Sequence, residues 1–416
     1  MAGFRDVDGK QPGRTRMIVV LGLLVALGPL TIDMYLPALP KIADDLAVTS
    51  SVVQLTLTGT LAGLALGQLI IGPLSDSLGR RKPLMAGIVL HMLASLLCMF
   101  ATDITVLGIA RGLQGMGAAA GMVVAIAVVG DLYADSVAAT VMSRLMLVLG
   151  VAPVLAPSLG AAVLARGSWH WVFAALVVVA AALLLMSALA LPETLPVDHR
   201  RPLRVRGISL TYLELLRDVR FVILVLVGAL GMSGLFAYIA GASFVLQGRF
   251  GLGQTAFALV FGAGAVALIG TTQCNVLLLR RFAPQQIMVW ALAAAVVSGL
   301  VFVALAATGI GGLVGFVVPV WAILGAMGLV IPNAPAVALT RHPDAAGTAA
   351  ALLGAVQFGA GAAVAPVVGI LGNDELAMAL VMASGVSLAL LALLATGSHK
   401  VVKSSDAAEP VAARHG

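Results

Sequence analysis

Two charged side chains stand inside long apolar stretches of this sequence, and they are its first candidates for chemistry. Asp33 lies in the first apolar stretch and Arg111 in the fourth. A charged group near the centre of a membrane helix costs at least ~2.5–3.5 kcal/mol, so such a residue usually has a function and a partner. The protonation of a buried carboxylate responds to a nearby guanidinium, and a small movement can switch it. We therefore predict Asp33 and Arg111 as the proton-coupling residues, with a permanent ion pair between two spans as the alternative interpretation.

The composition indicates a membrane protein. Hydrophobic residues make up 61% of the chain and charged residues only 10%, whereas soluble domains carry about 25% charged residues. A helix that crosses the bilayer needs about 20 mostly apolar residues. Twelve stretches meet this condition: 17–39, 52–73, 83–101, 104–130, 140–163, 169–191, 219–243, 254–276, 287–307, 312–338, 345–371 and 375–396.

The basic residues predict the orientation of these spans. With the N-terminus in the cytoplasm, 20 of the 24 Lys and Arg residues fall in cytoplasmic segments, as the positive-inside rule requires. We therefore predict a multi-pass protein of the bacterial plasma (inner) membrane with both termini cytoplasmic. Helix rise then places Asp33 about 9 Å and Arg111 about 10 Å below the outer surface, so the two charges share a depth. The net charge of +6 needs no nucleic-acid partner to explain it.

The longest polar stretch divides the chain in two. We predict an all-α membrane fold of twelve transmembrane helices in two pseudo-symmetric six-helix bundles. The predicted units are listed in chain order: a cytoplasmic tail over 1–16, the first bundle over 17–191, a cytoplasmic central loop over 192–218, the second bundle over 219–396, and a disordered cytoplasmic tail over 397–416. The end of the central loop, around Tyr212 to Asp218, is expected to form a short amphipathic helix.

The loop after the second span carries the most specific motif. Its glycines permit tight turns, and its basic cluster anchors the loop in the cytoplasm. The spacing of Asp76 and Arg80 allows these two residues to pair with each other, or allows a pair with Asp131 instead. An ordinary basic loop would need neither the glycines nor the acid.

Spans four and five carry two further patterns. Small residues after Gln114 allow neighbouring helices to approach closely. In span five, Pro153 and Pro157 lie between Gly150 and Gly160, and two prolines in a membrane helix bend it. The bend is either a gating element or simple packing. Candidate substrate contacts are Asp33, Tyr35, Gln114, Tyr238 and Asn333.

Together these motifs resemble the major facilitator superfamily. The Gly72–Lys82 loop is similar to its signature loop, Arg111–Gly121 to its span-four motif, and Gly150–Gly160 to its span-five antiporter motif. The first span from Leu27 to Pro40 resembles that of the Bcr/CflA drug-resistance branch. The resemblance implies proton-coupled efflux of varied small molecules, with Asp33 exchanging a proton for substrate and Arg111 modulating it. It also implies an inner gate formed by Gly72, Asp76, Gly79, Arg80, Arg81 and Asp131. Asp76, Arg80 and Asp131 would close this gate in the outward-facing state.

Other classes of protein fit less well. The spans hold no metal-ligand cluster and no Ser/His arrangement, so we expect neither an enzyme nor a metal site. The chain has no GK[ST] phosphate loop, which excludes an ATP-driven pump. We expect no cofactor beyond the proton gradient, and as partners a small-molecule substrate, protons and the lipid bilayer, with the protein a monomer. One membrane carboxylate suits a neutral or monocationic lipophilic substrate. A proton-coupled importer with the same fold is the alternative function.

Overall fold

The computed structural model describes residues 14–200, 205–342 and 345–397. Most of the two predicted tails, 1–16 and 397–416, lies outside these residues, as do 201–204 of the predicted central loop.

The described residues form fourteen α-helices. In chain order they are α1 Arg14–Asp33, α2 Leu39–Asp45, α3 Ser50–Leu78, α4 Arg81–Met99, α5 Ile104–Leu132, α6 Asp135–Leu164, α7 His170–Ala190, α8 Val205–Arg217, α9 Val219–Ser243, α10 Gln254–Leu278, α11 Pro284–Thr308, α12 Gly312–Leu339, α13 Ala346–Ile370 and α14 Glu375–Gly397. Twelve helical segments of this part of the chain are long and apolar enough to cross a membrane. The predicted fold class, twelve spans in two six-helix bundles, is confirmed.

The first span differs from its prediction. It extends to Asp45 instead of residue 39, and its main helix stops at Asp33. A single 3-10 turn, Leu36–Ala38, then leads into α2. Pro37 lies in that turn and Pro40 in the first turn of α2, and neither proline has a backbone N–H to continue the hydrogen bonding of a helix. Asp33 is therefore at a break in the span, twelve residues and roughly 18 Å of helix rise before its end.

The seventh span shows a related break. The α-helix α9 ends at Ser243, and a π-helical turn, Phe244–Arg249, completes the span. Spans one and seven open the two bundles, so the same kind of irregularity occurs at equivalent positions in each half.

Close helix packing inside the first bundle depends on glycine. In α3 and α5, a methyl group added at Gly63 would overlap the carbonyl of Gly112, and one at Gly115 would overlap the carbonyl of Thr60. Such backbone-to-backbone approach is the usual source of helix association in membranes, where no hydrophobic driving force between helices exists. The two bundles meet through α3 against α13 and α6 against α10.

The helix α8 confirms the expected amphipathic segment. Leu215 is buried in a small cluster with Phe221 and Ala349, whereas Leu213 and Leu216 remain exposed. One side of α8 thus packs on the second bundle, and the other side presents leucines to the surroundings.

Gly63→Ala should destabilise the protein by about 1–3 kcal/mol, the usual cost of overpacking. The added methyl group forces α3 away from α5 at their closest contact. The measurement is thermal unfolding of the detergent-solubilised protein. Gly108→Ala is the matched control, because a methyl group there meets no atom within 4 Å. Equal melting temperatures for the two variants would contradict the packing account.

Candidate functional site

Arg111 is completely buried within the first bundle. Its Nη1 donates to the carbonyl oxygen of Thr31 at 2.9 Å and to the Gln114 side-chain oxygen. Its guanidinium carbon lies 4.3 Å from the ring centroid of Tyr35 and 5.8 Å from that of Phe173. A backbone carbonyl, an amide and two aromatic faces therefore stabilise the positive charge, while Nε and Nη2 have no hydrogen-bond partner.

Asp33 is 3% exposed, and its Oδ1 is buried without a hydrogen-bond partner. Among the described residues no ion pair joins it to Arg111, so the structure contradicts the interpretation as a permanent ion pair. The reason is helical geometry. Arg111 is held at Thr31, and a residue two positions further along a helix projects about 200° around the axis. A buried carboxylate without a partner is costly, which is the condition in which it binds a proton readily.

The span-five motif packs beside this carboxylate. A methyl group at Gly160 would overlap the carbonyl of Met34, the residue after Asp33. At the other end of the motif, a methyl group at Gly150 would lie 3.2 Å from Ile269 of α10. Pro153 and Pro157 both lie inside α6 between these contacts. The motif thus joins the backbone next to Asp33 to the second bundle.

The remaining predicted substrate contacts differ in how their polar atoms are used. Tyr35 Oη lies 2.7 Å from the hydroxyl of Thr56. Asn333 donates to Asn275 at 2.8 Å and to the carbonyl of Leu329 at 2.8 Å. Because the polar groups of Tyr35 and Asn333 already have partners, they serve as structural hydrogen bonds between helices.

Tyr238 is different. It is 2% exposed, and its ring stacks on Phe261 with centroids 4.8 Å apart and planes at 10°. Its hydroxyl has no hydrogen-bond partner. Five residues further along, the hydroxyl of Ser243 donates to the carbonyl of Leu36 at 2.6 Å. That contact brings the breaks of spans one and seven together, so Tyr238 and Asp33 lie at similar depth on neighbouring segments.

The predicted loop motif forms a compact ionic cluster around Arg80. Arg80 Nε donates to Asp131 Oδ2 at 2.9 Å and Nη2 to Oδ1 at 3.3 Å. Nη1 donates to Asp76 and to the hydroxyl of Ser75, the latter at 2.9 Å. Burial by itself lowers the pKa of Arg80, but the carboxylates of Asp131 and then Asp76 outweigh it and raise the pKa. Arg80 therefore remains charged and ties α3 to α5.

The prediction of a tight turn is wrong for Gly72 and correct for Gly79. Gly72 lies inside α3 with open space around it, because the helix continues to Leu78. Gly79 does form the turn, with φ of +89°, a conformation that L side chains rarely adopt. A methyl group at Gly79 would also overlap the carboxylate of Glu193.

Glu193 and Thr194 belong to this cluster although the sequence interpretation did not include them. Glu193 accepts the backbone N–H of Arg80 at 2.8 Å and that of Arg81 at 3.3 Å, so it caps the start of α4. Thr194 donates its hydroxyl to Asp131 Oδ2 at 2.8 Å. The only signal in the sequence was an acidic residue three positions after the end of an apolar helix of 21 residues. The segment after α7 thus locks onto the Arg80 loop.

The two bundles are joined by hydrogen bonds at the end of the molecule away from both termini, here named the distal end (loops 46–49, 100–103, 165–169, 250–253, 309–311 and 371–374). Gln54 donates to the carbonyl of Ala240 at 2.9 Å and to Asn373 Oδ1 at 2.6 Å. Ser51 donates to the carbonyl of Gly369 at 2.8 Å. With the contact between Ser243 and Leu36, these bonds tie spans one and two to spans seven and eleven.

A second ionic cluster lies at the opposite end, within the second bundle. Asp218 caps α9 through the N–H groups of Arg220 and Phe221. It also accepts from Arg341 at 2.8 Å and from His342 at 3.0 Å. Burial by itself raises the pKa of Asp218, but these hydrogen bonds outweigh burial and lower that pKa to about 2.

Comparison with known proteins is consistent with this geometry. The family model described as Major Facilitator Superfamily matches residues 21–366. The chain is 31% identical over 376 residues to the bicyclomycin resistance protein homolog of Haemophilus influenzae, which covers 90% of this chain and 94% of that protein. It is 41% identical over 268 residues to the MFS-type transporter YdgK of Bacillus subtilis, which covers 64% of this chain and 66% of that protein.

Among solved structures, a D-xylose–proton symporter superposes with a TM-score of 0.74 at 15% identity, covering 91% of this chain and 97% of that one. At this identity the similarity describes the fold alone.

Glu193→Ala should lower the free energy of unfolding by about 0.5–2 kcal/mol, the usual value of a helix cap. The variant leaves the first N–H groups of α4 without their acceptor, whereas Glu193→Gln keeps an acceptor oxygen and should cost less. Thermal unfolding in detergent measures both. Glu214→Ala, which removes an exposed carboxylate from α8, is the control, and an equal loss in this control would argue against the cap.

Proposed function

Because the chain belongs to the Major Facilitator Superfamily, in the Bcr/CflA-like branch of the bicyclomycin resistance protein homolog, we propose that it is a proton-coupled antiporter. It exports small lipophilic drugs or metabolites by alternating access. The bicyclomycin resistance protein homolog supports export, because a membrane transporter confers resistance by moving a drug out of the cell.

The buried carboxylate of Asp33 is the observation that carries this proposal. It sits at the break of span one with no hydrogen-bond partner on Oδ1, beside the α6 motif that contacts the second bundle. A carboxylate in this environment binds a proton in one state and releases it when the surroundings become more polar. Arg111, held two residues away at Thr31, biases that exchange without neutralising the acid permanently.

The substrate meets this site from one side of the membrane at a time. Asp33, with its free oxygen, and Tyr238, with its stacked ring and free hydroxyl, are the two predicted contacts that retain polar atoms for a ligand. An aromatic face and one carboxylate suit a lipophilic molecule that is neutral or carries one positive charge. The other predicted contacts, Tyr35, Gln114 and Asn333, already have hydrogen-bond partners within the protein.

The orientation follows from the basic residues. With both termini in the cytoplasm of a bacterial cell, the Arg80 and Asp218 clusters are cytoplasmic and the distal end faces outward. The domains are then the cytoplasmic tail 1–16, the two bundles 17–191 and 219–396, the central loop 192–218 and the tail 397–416. The protein works as a monomer in the lipid bilayer and takes its energy from the proton gradient.

Alternating access gives the distal contacts a role. The hydrogen bonds of Gln54 and Ser51 hold the outer end closed, so they must break when the transporter opens outward. Neutral hydrogen bonds of this kind are worth only about 0.5–1.5 kcal/mol each, so they can break in every cycle. We expect the inner gate, with its Arg80 cluster, to be closed whenever they are broken.

Asp33→Asn should abolish proton-driven resistance while the protein still reaches the membrane, because an amide cannot release a proton. The measurement is growth of a host without its own drug pumps on bicyclomycin and on ethidium, with and without a protonophore. Resistance should fall to the level of the empty vector.

Asp103→Asn is the control for this test, since it changes an exposed carboxylate that caps α5, and asparagine caps equally well. Resistance in Asp33→Asn equal to that of the unaltered protein would overturn the coupling role. Increased drug accumulation on expression would instead identify an importer.

A disulfide between Ser51→Cys and Gly369→Cys should stop transport, and reduction should restore it. A Cβ at position 369 would lie 3.1 Å from Cβ of Ser51, close to the ~3.5–4.5 Å that a disulfide spans. The pair is made after Cys98 and Cys274 are replaced by alanine. Ethidium efflux is followed before and after a reductant, with each single cysteine as the control. Undiminished efflux by the cross-linked protein would contradict opening at the distal end.

A further inference from the structure

A buried histidine lies next to the site without a role in the exchange described so far. His91 of α4 is completely buried, and its Nε2 lies 2.8 Å from the hydroxyl of Thr31. The Thr31 hydroxyl donates its one proton to the carbonyl of Leu27, at 2.6 Å. Because a hydroxyl has only one proton to donate, His91 Nε2 must be the donor to Thr31.

The other side of the imidazole meets Ser95. The Ser95 hydroxyl lies 2.7 Å from the carbonyl of His91 and 3.5 Å from its Nδ1, so the proton goes to the carbonyl. Ser95 also accepts from Gln114 Nε2 at 2.7 Å. A second positive charge buried near Arg111 would be costly, so Nδ1 is an unprotonated nitrogen and the imidazole is the neutral Nε2–H form.

These bonds close a ring across three helices. The side-chain oxygen of Gln114 accepts a hydrogen bond from Arg111, and Arg111 also donates to the carbonyl of Thr31. The ring therefore runs from His91 to Thr31, Arg111, Gln114, Ser95 and back to His91. Arg111 can only donate and a carbonyl can only accept, so these groups set the direction of the bonds from Arg111 through Gln114 to Ser95 and the His91 carbonyl. The Nε2–H form of His91 sets only the bond to Thr31.

The ring engages Thr31 twice, through its hydroxyl and through its carbonyl. Thr31 lies in the last turn of α1, two residues before Asp33. The histidine thus holds the helix end that carries the free carboxylate, and the Thr31 carbonyl and Gln114 hold the guanidinium beside Tyr35. Arg111 is the charged group that faces the ring, from α5, while α1 contributes the neutral Thr31.

We propose that His91 is a positioning residue: its Nε2–H donor fixes the ring that places Arg111 and the end of α1 for proton exchange. The proposal rests on the proposed antiport function. His91 itself neither contacts the substrate nor carries the transported proton.

The first test compares two substitutions of His91. His91→Gln keeps an N–H donor at about the same reach, whereas His91→Leu keeps volume and removes the donor. Ethidium efflux driven by a pH gradient in proteoliposomes should fall on the order of tenfold in His91→Leu, the effect of losing a buried hydrogen bond near a charge. It should remain within about threefold of the unaltered protein in His91→Gln.

The matched control is Ile88→Leu, which alters an equally buried apolar residue one turn earlier on α4 and should leave efflux unchanged. Equal loss in His91→Gln and His91→Leu would overturn the proposal, because shape and not the donor would then matter. Full efflux in His91→Leu would overturn it as well.

The second test does not depend on transport. Nitrogen NMR of the solubilised protein with labelled histidine distinguishes the two tautomers and the charged ring, and His91→Gln identifies the signal. We expect the neutral Nε2–H form, with a signal that shifts in Gln114→Leu and stays in place in Ile88→Leu. A protonated Nδ1, or no shift in Gln114→Leu, would overturn the ring. If the unaltered protein does not export ethidium, the antiport proposal fails, but this spectrum still shows whether the hydrogen-bonded ring exists.

Discussion

The absence of water inside a membrane is the constraint on which this structure depends. Each backbone N–H and carbonyl must find a partner within the protein, which is why the described chain is built from helices and why their ends are capped by Asp103, Asp218 and Glu193. The same constraint acts on Arg111. Its charge is tolerated because a carbonyl, an amide and two aromatic rings surround it.

Asp33 differs from Arg111 because its carboxylate is available for proton exchange. A closed ring of hydrogen bonds holds Nη1 of Arg111 at Thr31, but a carboxylate oxygen of Asp33, two residues after Thr31, has no partner. Since Arg111 is fixed at Thr31, helical geometry turns Asp33 to another side of span one. The two charges therefore influence each other through a shared helix end and do not cancel.

The two ends of the molecule are held together by different interactions. At the distal end, neutral side chains donate mainly to backbone carbonyls across the bundles. At the other end, charged clusters around Arg80 and Asp218 lie within one bundle each. Weak bonds between the bundles and strong bonds inside them are what two rigid bodies need in order to move relative to each other.

The sequence by itself determined the number of spans, their limits to within a few residues for most of them, and the two charged residues of the site, because length, hydropathy and buried charge are local properties. The prolines after Asp33 are a local signal for the break in span one, whereas the inclusion of Gly72 in a helix was not predictable, since helix ends also depend on packing. Only the tertiary structure decided the partners. Glu193 accepts N–H groups at the start of α4, Ser95 accepts from Gln114 of α5, and His91 lies against Thr31 of α1. These partners come from distant parts of the chain, which no single stretch of sequence contains.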